Sequence, residues 1–142
     1  MKKIYFLPAL CFLILLFAAC SKDVLKAYDK RVVGTWKLHD VDKYGFGRSN
    51  NLPFKEDGIF TFNDDGELSY SSGGNLYKGH WDIRKQTNGE DSRNTLHVTV
   101  VDFVNQAVLT EFFNKMNFTG TNRFNAVIDD TYRSYVFRFS RQ

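Results

Sequence analysis

Ile59-Phe60-Thr61-Phe62-Asn63-Asp64-Asp65-Gly66-Glu67-Leu68-Ser69-Tyr70 is two short alternating runs held apart by a polar break. Residues two apart on an extended chain project to the same side, so Phe60 with Phe62 and Leu68 with Tyr70 form one apolar set, while Thr61 and Ser69 face the other way. Asp-Gly between such runs supplies the positive φ angles of a tight turn, and the segment reads as an antiparallel β-hairpin. One face then meets a core and the other water, which is the habit of antiparallel rather than parallel sheets.

The same pattern continues outward in both directions. Strands are expected near Thr35 to Val41, Ile59 to Asn63, Glu67 to Ser71, Leu76 to Arg84, Thr95 to Phe103, Val108 to Phe118, Arg123 to Ile128 and Tyr132 to Arg141. Ser72-Gly73-Gly74 and the polar stretch from Thr87 to Asn94 mark turns between them. Trp36 and Leu38 share a side. Tyr77, Gly79, Trp81 and Ile83 alternate with Lys78, His80, Asp82 and Arg84; Leu96, Val98 and Val100 alternate with His97 and Thr99; Tyr135, Phe137 and Phe139 alternate with Ser134, Arg138 and Ser140. About eight half-wet strands with local connections predict an antiparallel up-and-down β-barrel over residues 34–142. No regular succession of crossover helices is present, which disfavours a parallel α/β fold. Asn105 to Asn117 is the one stretch where a helix could interrupt the sheet.

Before the barrel, Met1-Lys2-Lys3 precede an almost unbroken apolar run from Ile4 to Ala19, after which Ser21-Lys22-Asp23 turn the chain polar. This is the layout of a secretory signal. The run is 16 residues long and contains Pro8, short of the ~20 apolar residues that a membrane-spanning helix uses. Phe17-Ala18-Ala19-Cys20 resembles the lipobox of bacterial lipoproteins, with Phe17 where leucine is usual three places before the cysteine. The resemblance implies a signal peptide over 1–19, acylation of Cys20, and a lipid-modified N-terminus and tether with a short helix over 20–33. Val24, Leu25, Tyr28 and Val32 would fall on one side of that helix. The resemblance places the protein in the cell envelope, held in the membrane by its N-terminal lipid, and Ser21 resembles outer-membrane sorting.

Cysteine count agrees with that reading. The second cysteine, Cys11, lies in the segment to be removed, so no internal disulfide can form and thiolate metal sites are excluded. Removing residues 1–19 takes away Lys2 and Lys3 and no acid, which lowers the formal charge from +3 to +1. The chain carries no Lys/Arg block of the nucleic-acid-binding or anionic-membrane kind, and membrane association is expected from the acyl chains.

Val33-Gly34-Thr35-Trp36-Lys37-Leu38 opens the first strand after a short helical turn, and Gly79-His80-Trp81 echoes it. This Gly-x-Trp resembles that of the lipocalins and the related fatty-acid-binding proteins, and the whole is similar to small lipocalin-like lipoproteins of Gram-negative bacteria across residues 28–142. The resemblance implies that Trp36 packs at the closed end of the barrel with an arginine of the last strand across it. Strand parity makes Arg141 that arginine, since Arg138 falls on the wet side. Asp42 to Asp57, with Gly45, Gly47 and Pro53, does not read as the helix pair of fatty-acid-binding proteins.

The common catalytic constellations are missing from the sequence: no Gly-x-Ser-x-Gly elbow, Gly-rich phosphate loop or His-Glu-x-x-His occurs. His39, His80 and His97 are expected on the solvent side, with no close carboxylate, rather than around a metal. Asp64/Asp65, Glu90/Asp91 and Asp129/Asp130 fall at expected turns, where Asp suits the backbone. No enzyme activity and no cofactor are expected. Eleven of the fourteen phenylalanines follow residue 19, and aromatic residues on one face can either line a pocket or fill a barrel solid. The expected function is that of a monomeric, lipid-anchored module binding a small hydrophobic or amphipathic ligand inside the barrel. Candidate lining residues are Trp36, Leu38, Phe60, Phe62, Tyr70, Tyr77, Trp81, Tyr135 and Phe137. The alternative is a filled barrel whose loops, Tyr44 to Asp57 and Thr87 to Asn94, contact other envelope proteins.

Overall fold

The computed structural model describes residues 26–45, 52–89 and 91–142; the expected signal segment, Cys20, Val24, Leu25 and Glu90 lie outside these. Among the described residues one helix, α1 (Tyr28–Val32), precedes β1 (Gly34–Gly45), β2 (Ile59–Phe62), β3 (Glu67–Ser72), β4 (Asn75–Asn88), β5 (Asp91–Asp102), β6 (Ala107–Phe113), β7 (Lys115–Phe118), β8 (Arg123–Asp130) and β9 (Arg133–Arg141). They form a single sheet in the order β6-β5-β4-β3-β2-β1-β9-β8-β7. Every neighbouring pair is antiparallel, and β1 pairs with β9, so the meander curls into a nearly closed barrel.

The sheet has nine strands where about eight were expected, because the single strand anticipated from Val108 to Phe118 is divided at Asn114. Its first half, β6, pairs with β5, and its second half, β7, pairs with β8. Phe113 and Met116 are both buried although three apart, so the inward parity slips by one residue at the division. The Asp129 amide donates to Asn114 Oδ1 at 2.7 Å, tying the corner to β8. β7 lies alongside β5, and β6 alongside β8, so one kinked run brings the two free edges together. No helix forms between Asn105 and Asn117.

Other boundaries differ as well, some because ladders run on past the buried stretch and some because they stop sooner than expected. The Thr87 to Asn94 segment, expected as a turn, is a tall hairpin: Thr87 pairs with Ser92 and Asn88 with Asp91. β1 continues to Gly45, paired with Arg133, and passes a bulge between Leu38 and Asp40. Phe103 and Tyr132, expected in strands, stand in turns and are each 76% exposed. At the 63–67 hairpin the Asn63 amide donates to Glu67 O at 2.9 Å, closing a three-residue loop in which Gly66 alone takes a positive φ, of 87°.

Within the strands the alternation places Trp36, Leu38, Phe60, Phe62, Leu68, Tyr70, Leu96, Val98, Val100, Phe137 and Phe139 in one buried core. Burying a Val, Leu or Phe side chain is worth ~1.5–3 kcal/mol, and this shared inward side drives closure. α1 has only five residues and no side-chain cap. It is held instead by Val32, which is fully buried, and by Tyr28, whose ring meets Phe118 edge-on at 5.2 Å.

Candidate functional site

Strand direction gives the barrel two poles. β2, β4, β7 and β9 end at the pole that carries α1, whereas β1, β3, β5 and β8 end at the other, the mouth. Trp36 anchors the α1 pole: it is fully buried, and its Nε1 donates to Val32 O at 2.6 Å. The Arg141 guanidinium lies over the indole, 4.3 Å from the ring centroid, and donates to Val33 O at 3.1 Å and Arg31 O at 2.9 Å. Gly34 makes room for it: with φ +129°, a Cβ there would stand 2.6 Å from Arg141 Nη1. Arg31 covers Phe118 in the same manner at 4.0 Å and donates to Gly120 O at 2.7 Å.

Between the poles the candidate lining residues are brought together. All of Trp36, Leu38, Phe60, Phe62, Tyr70, Trp81, Tyr135 and Phe137 are buried, and Tyr77 is partly so. They touch one another or further rings: Phe60 meets Tyr70 at 4.5 Å, Phe62 meets Trp81 at 5.5 Å, Tyr70 meets Tyr77 at 5.3 Å, and Phe137 meets Phe113 at 5.1 Å. Trp81 Nε1 donates to Asn63 O at 3.0 Å. Sequence reading did not place Phe54, Phe113 or Phe124 in this set. Phe124 could have been found, since Phe124, Ala126 and Ile128 alternate. Phe54 follows Pro53 in an irregular connector and has no periodicity to betray it; it is buried against Phe60 and Tyr70, at 5.1 Å from each.

At the mouth a cleft of about 330 Å³ opens beside Tyr70 and Tyr77, lined also by Leu52, Lys55, Asn75 and Leu109. At the same end, turns and strand ends carry large apolar side chains in water: Tyr44 is 55% exposed, Leu76 57%, Phe103 76%, Val104 89% and Tyr132 76%. Scattered single hydrophobics are ordinary on a surface; these five share one end of the barrel. No protein-family model, curated protein or solved structure matches this chain at a significant level.

Polar chemistry lies on the outer wall. His39 and His80 are exposed. His97 is paired: its Nδ1 lies 3.3 Å from Asp82 Oδ1, and Arg84 Nε donates to the other oxygen at 2.7 Å. This pair departs from the expected isolation of the histidines, because the register that sets Asp82 opposite His97 is not visible from either strand alone. Among the described residues no three His, Cys, Asp or Glu side chains gather as a metal site. Asp64 and Asp65 stand in the turn after β2, and Asp129 and Asp130 end β8.

On the inward side of β6 stands Glu111, opposite Val98. Burial pushes its carboxyl above the ordinary value of 4.5, a rise only partly offset by the Phe112 amide that donates to it at 3.0 Å. A raised folded-state pKa contributes stability that is present below the unfolded pKa and lost as pH rises through the folded value. Glu111→Gln is therefore expected to stabilise the fold at pH 7 and to make no difference at pH 4 or below. Urea midpoints at both pH values check this; an equal midpoint at pH 7 contradicts it.

Proposed function

We propose that this chain is a lipid-anchored, lipocalin-like protein of the bacterial envelope whose barrel is a filled scaffold and whose apolar mouth contacts another envelope protein. The observation that carries the reading is the rim of Tyr44, Leu76, Phe103, Val104 and Tyr132 at the pole opposite α1. Inside, rings meet beyond the paired strands, as Phe60 of β2 does with Phe139 of β9 past the intervening β1 at 5.3 Å, and Phe113 of β6 with Phe137 of β9 across the seam at 5.1 Å. Gly34, Trp36 and Arg141 support the lipocalin likeness through their joint arrangement at the other pole. With Cys20 acylated, the short tether leads into α1, so the mouth is the end that the anchor leaves free.

The test is a photoreactive residue placed in turn at Phe103, Tyr132 and, as a wall control, the exposed Asn117, in cells of the native host. Adducts are expected from the first two and not from Asn117, and Val104→Asp is expected to reduce them about tenfold, as loss of a central apolar contact does. Adducts of equal yield at all three positions, or at none, remove the proposal.

The 330 Å³ cleft favours a second reading, a small amphipathic ligand at the mouth, since that volume lies at the low end of ligand pockets. Tyr77 and Leu109 would take its apolar part and Lys55 an acidic head. Saturable quenching of intrinsic fluorescence by fatty acids, abolished in Tyr77→Ala, distinguishes this from protein contact.

A further inference from the structure

We propose that the α1 pole is an electropositive seat for anionic phospholipid headgroups, which docks the barrel on the membrane holding its lipid anchor and turns the mouth outward. The inference rests on the reading that Cys20 is acylated and extends it to orientation.

The sequence has no basic block, but folding makes one. Lys26, Lys30 and Arg31 come from the N-terminal segment and Arg141 from the last strand, and they meet around one groove of about 300 Å³ closed by Thr121 and Asn122. A second groove of about 310 Å³ adjoins it, sharing Lys26, Lys30 and Val33 and reaching Asp64. Among the described residues Asp64 is the one acid that lines either groove, against four bases. Arg31 and Arg141 hold no carboxylate among the described residues: their hydrogen bonds go to the carbonyls of Gly120, Val33 and Arg31, and their planes cover Phe118 and Trp36. Carbonyl and ring contacts fix the guanidinium groups without neutralising them, which leaves an oriented positive field suited to phosphate.

Chain length supplies the second argument. Cys20 precedes Lys26 by six residues, which fully extended span no more than ~20 Å. A barrel tethered so closely has to hold this pole near the headgroups, within about two Debye lengths at moderate salt. The acyl chains supply retention and the basic pole supplies orientation.

The experiment takes the mature protein from its native host and incubates it at saturating lipid with vesicles of phosphatidylcholine, with and without phosphatidylglycerol. Amide hydrogen exchange is read at residues 27–33 and 119–123. Slowed exchange is expected only with phosphatidylglycerol, and high salt is expected to abolish it. Lys26→Gln/Lys30→Gln changes two exposed side chains and spares both arginines. At about fivefold per lysine near an anionic surface, it is expected to weaken seating roughly 25-fold and return exchange to the phosphatidylcholine level.

Mass spectrometry of the N-terminus separates this inference from the anchor. An acylated chain that stays on both kinds of vesicle with identical exchange overturns the seat and leaves the anchor standing. An unacylated chain that still gains protection on phosphatidylglycerol removes the anchor and upholds the seat; one that gains none removes both. Equal protection by inorganic phosphate without vesicles makes the pole a free-anion site and overturns membrane docking.

Discussion

Gly79→Val is expected to unfold the domain or to lower its stability by about 3 kcal/mol or more, the upper range for overpacking. β4 is flanked on both sides: Gly79 is opposite Leu68 of β3 and Val100 of β5. A Cβ at Gly79 would stand 1.9 Å from Thr99 O and 2.7 Å from Val100 Cα. Both obstructing atoms are backbone of the paired strand, so no rotamer change relieves them, and β4 would have to part from β5 in the middle of their ladder. Urea denaturation followed by tryptophan fluorescence measures the loss. Gly79→Ala is expected to show most of it, since the first carbon makes the clash, while Lys78→Ala on the exposed side should stay within about 0.5 kcal/mol of the parent. A Gly79→Ala variant of parental stability would mean that β4 and β5 do not approach so closely at this point.

Gly79 also shows where sequence reading stops. Its place among Tyr77, Trp81 and Ile83 on the inward side was legible, because alternation is a local property; the close approach of β5, which makes glycine necessary, is not, because it depends on a strand some twenty positions further on. The same boundary runs through the rest of the molecule. The core sets on β2, β3, β5 and β9 followed from period two. Arg141 could be assigned to the Trp36 side by parity because β9 is regular. Asn114 defeats parity: the run that contains it changes ladder partner, and only the three-residue spacing of Phe113 and Met116 hinted at a slip. Phe54 sits in a connector with no period to read. The rim at the mouth and the basic pole are assembled from turns and ends far apart in the chain, so composition and local charge gave no sign of them.

Phe124→Ala is expected to cost about 3–5 kcal/mol, the range for deleting a buried phenylalanine ring. Phe124 is fully buried and touches four rings: it stacks on Phe139 at 4.4 Å, meets Trp36 edge-on at 4.7 Å, and lies 5.5 Å from Phe118 and 6.4 Å from Phe62. Its strand, β8, is fixed between β7 and β9 and cannot collapse into the space left behind. Aromatic pairing adds ~0.5–1.5 kcal/mol per contact to the area lost, which places the expected value at the upper side. Phe124→Leu keeps most of the volume and should cost ~1.5 kcal/mol or less. Urea midpoints read through tryptophan fluorescence, at unchanged m-value, report both losses. The pair of variants, with the parent as control, also tests whether the barrel is filled: Phe124 reports on the Trp36 end and the parent on the rest. A ring enclosed by four others leaves a dry apolar cavity when truncated, so Phe124→Ala and not the parent should take up benzene and recover part of its stability in doing so. A ring that merely lined a ligand chamber would already have space on one side. Its truncation would then add no new cavity, the parent would take up benzene as well, and the filled barrel would have to be abandoned in favour of an internal binding site.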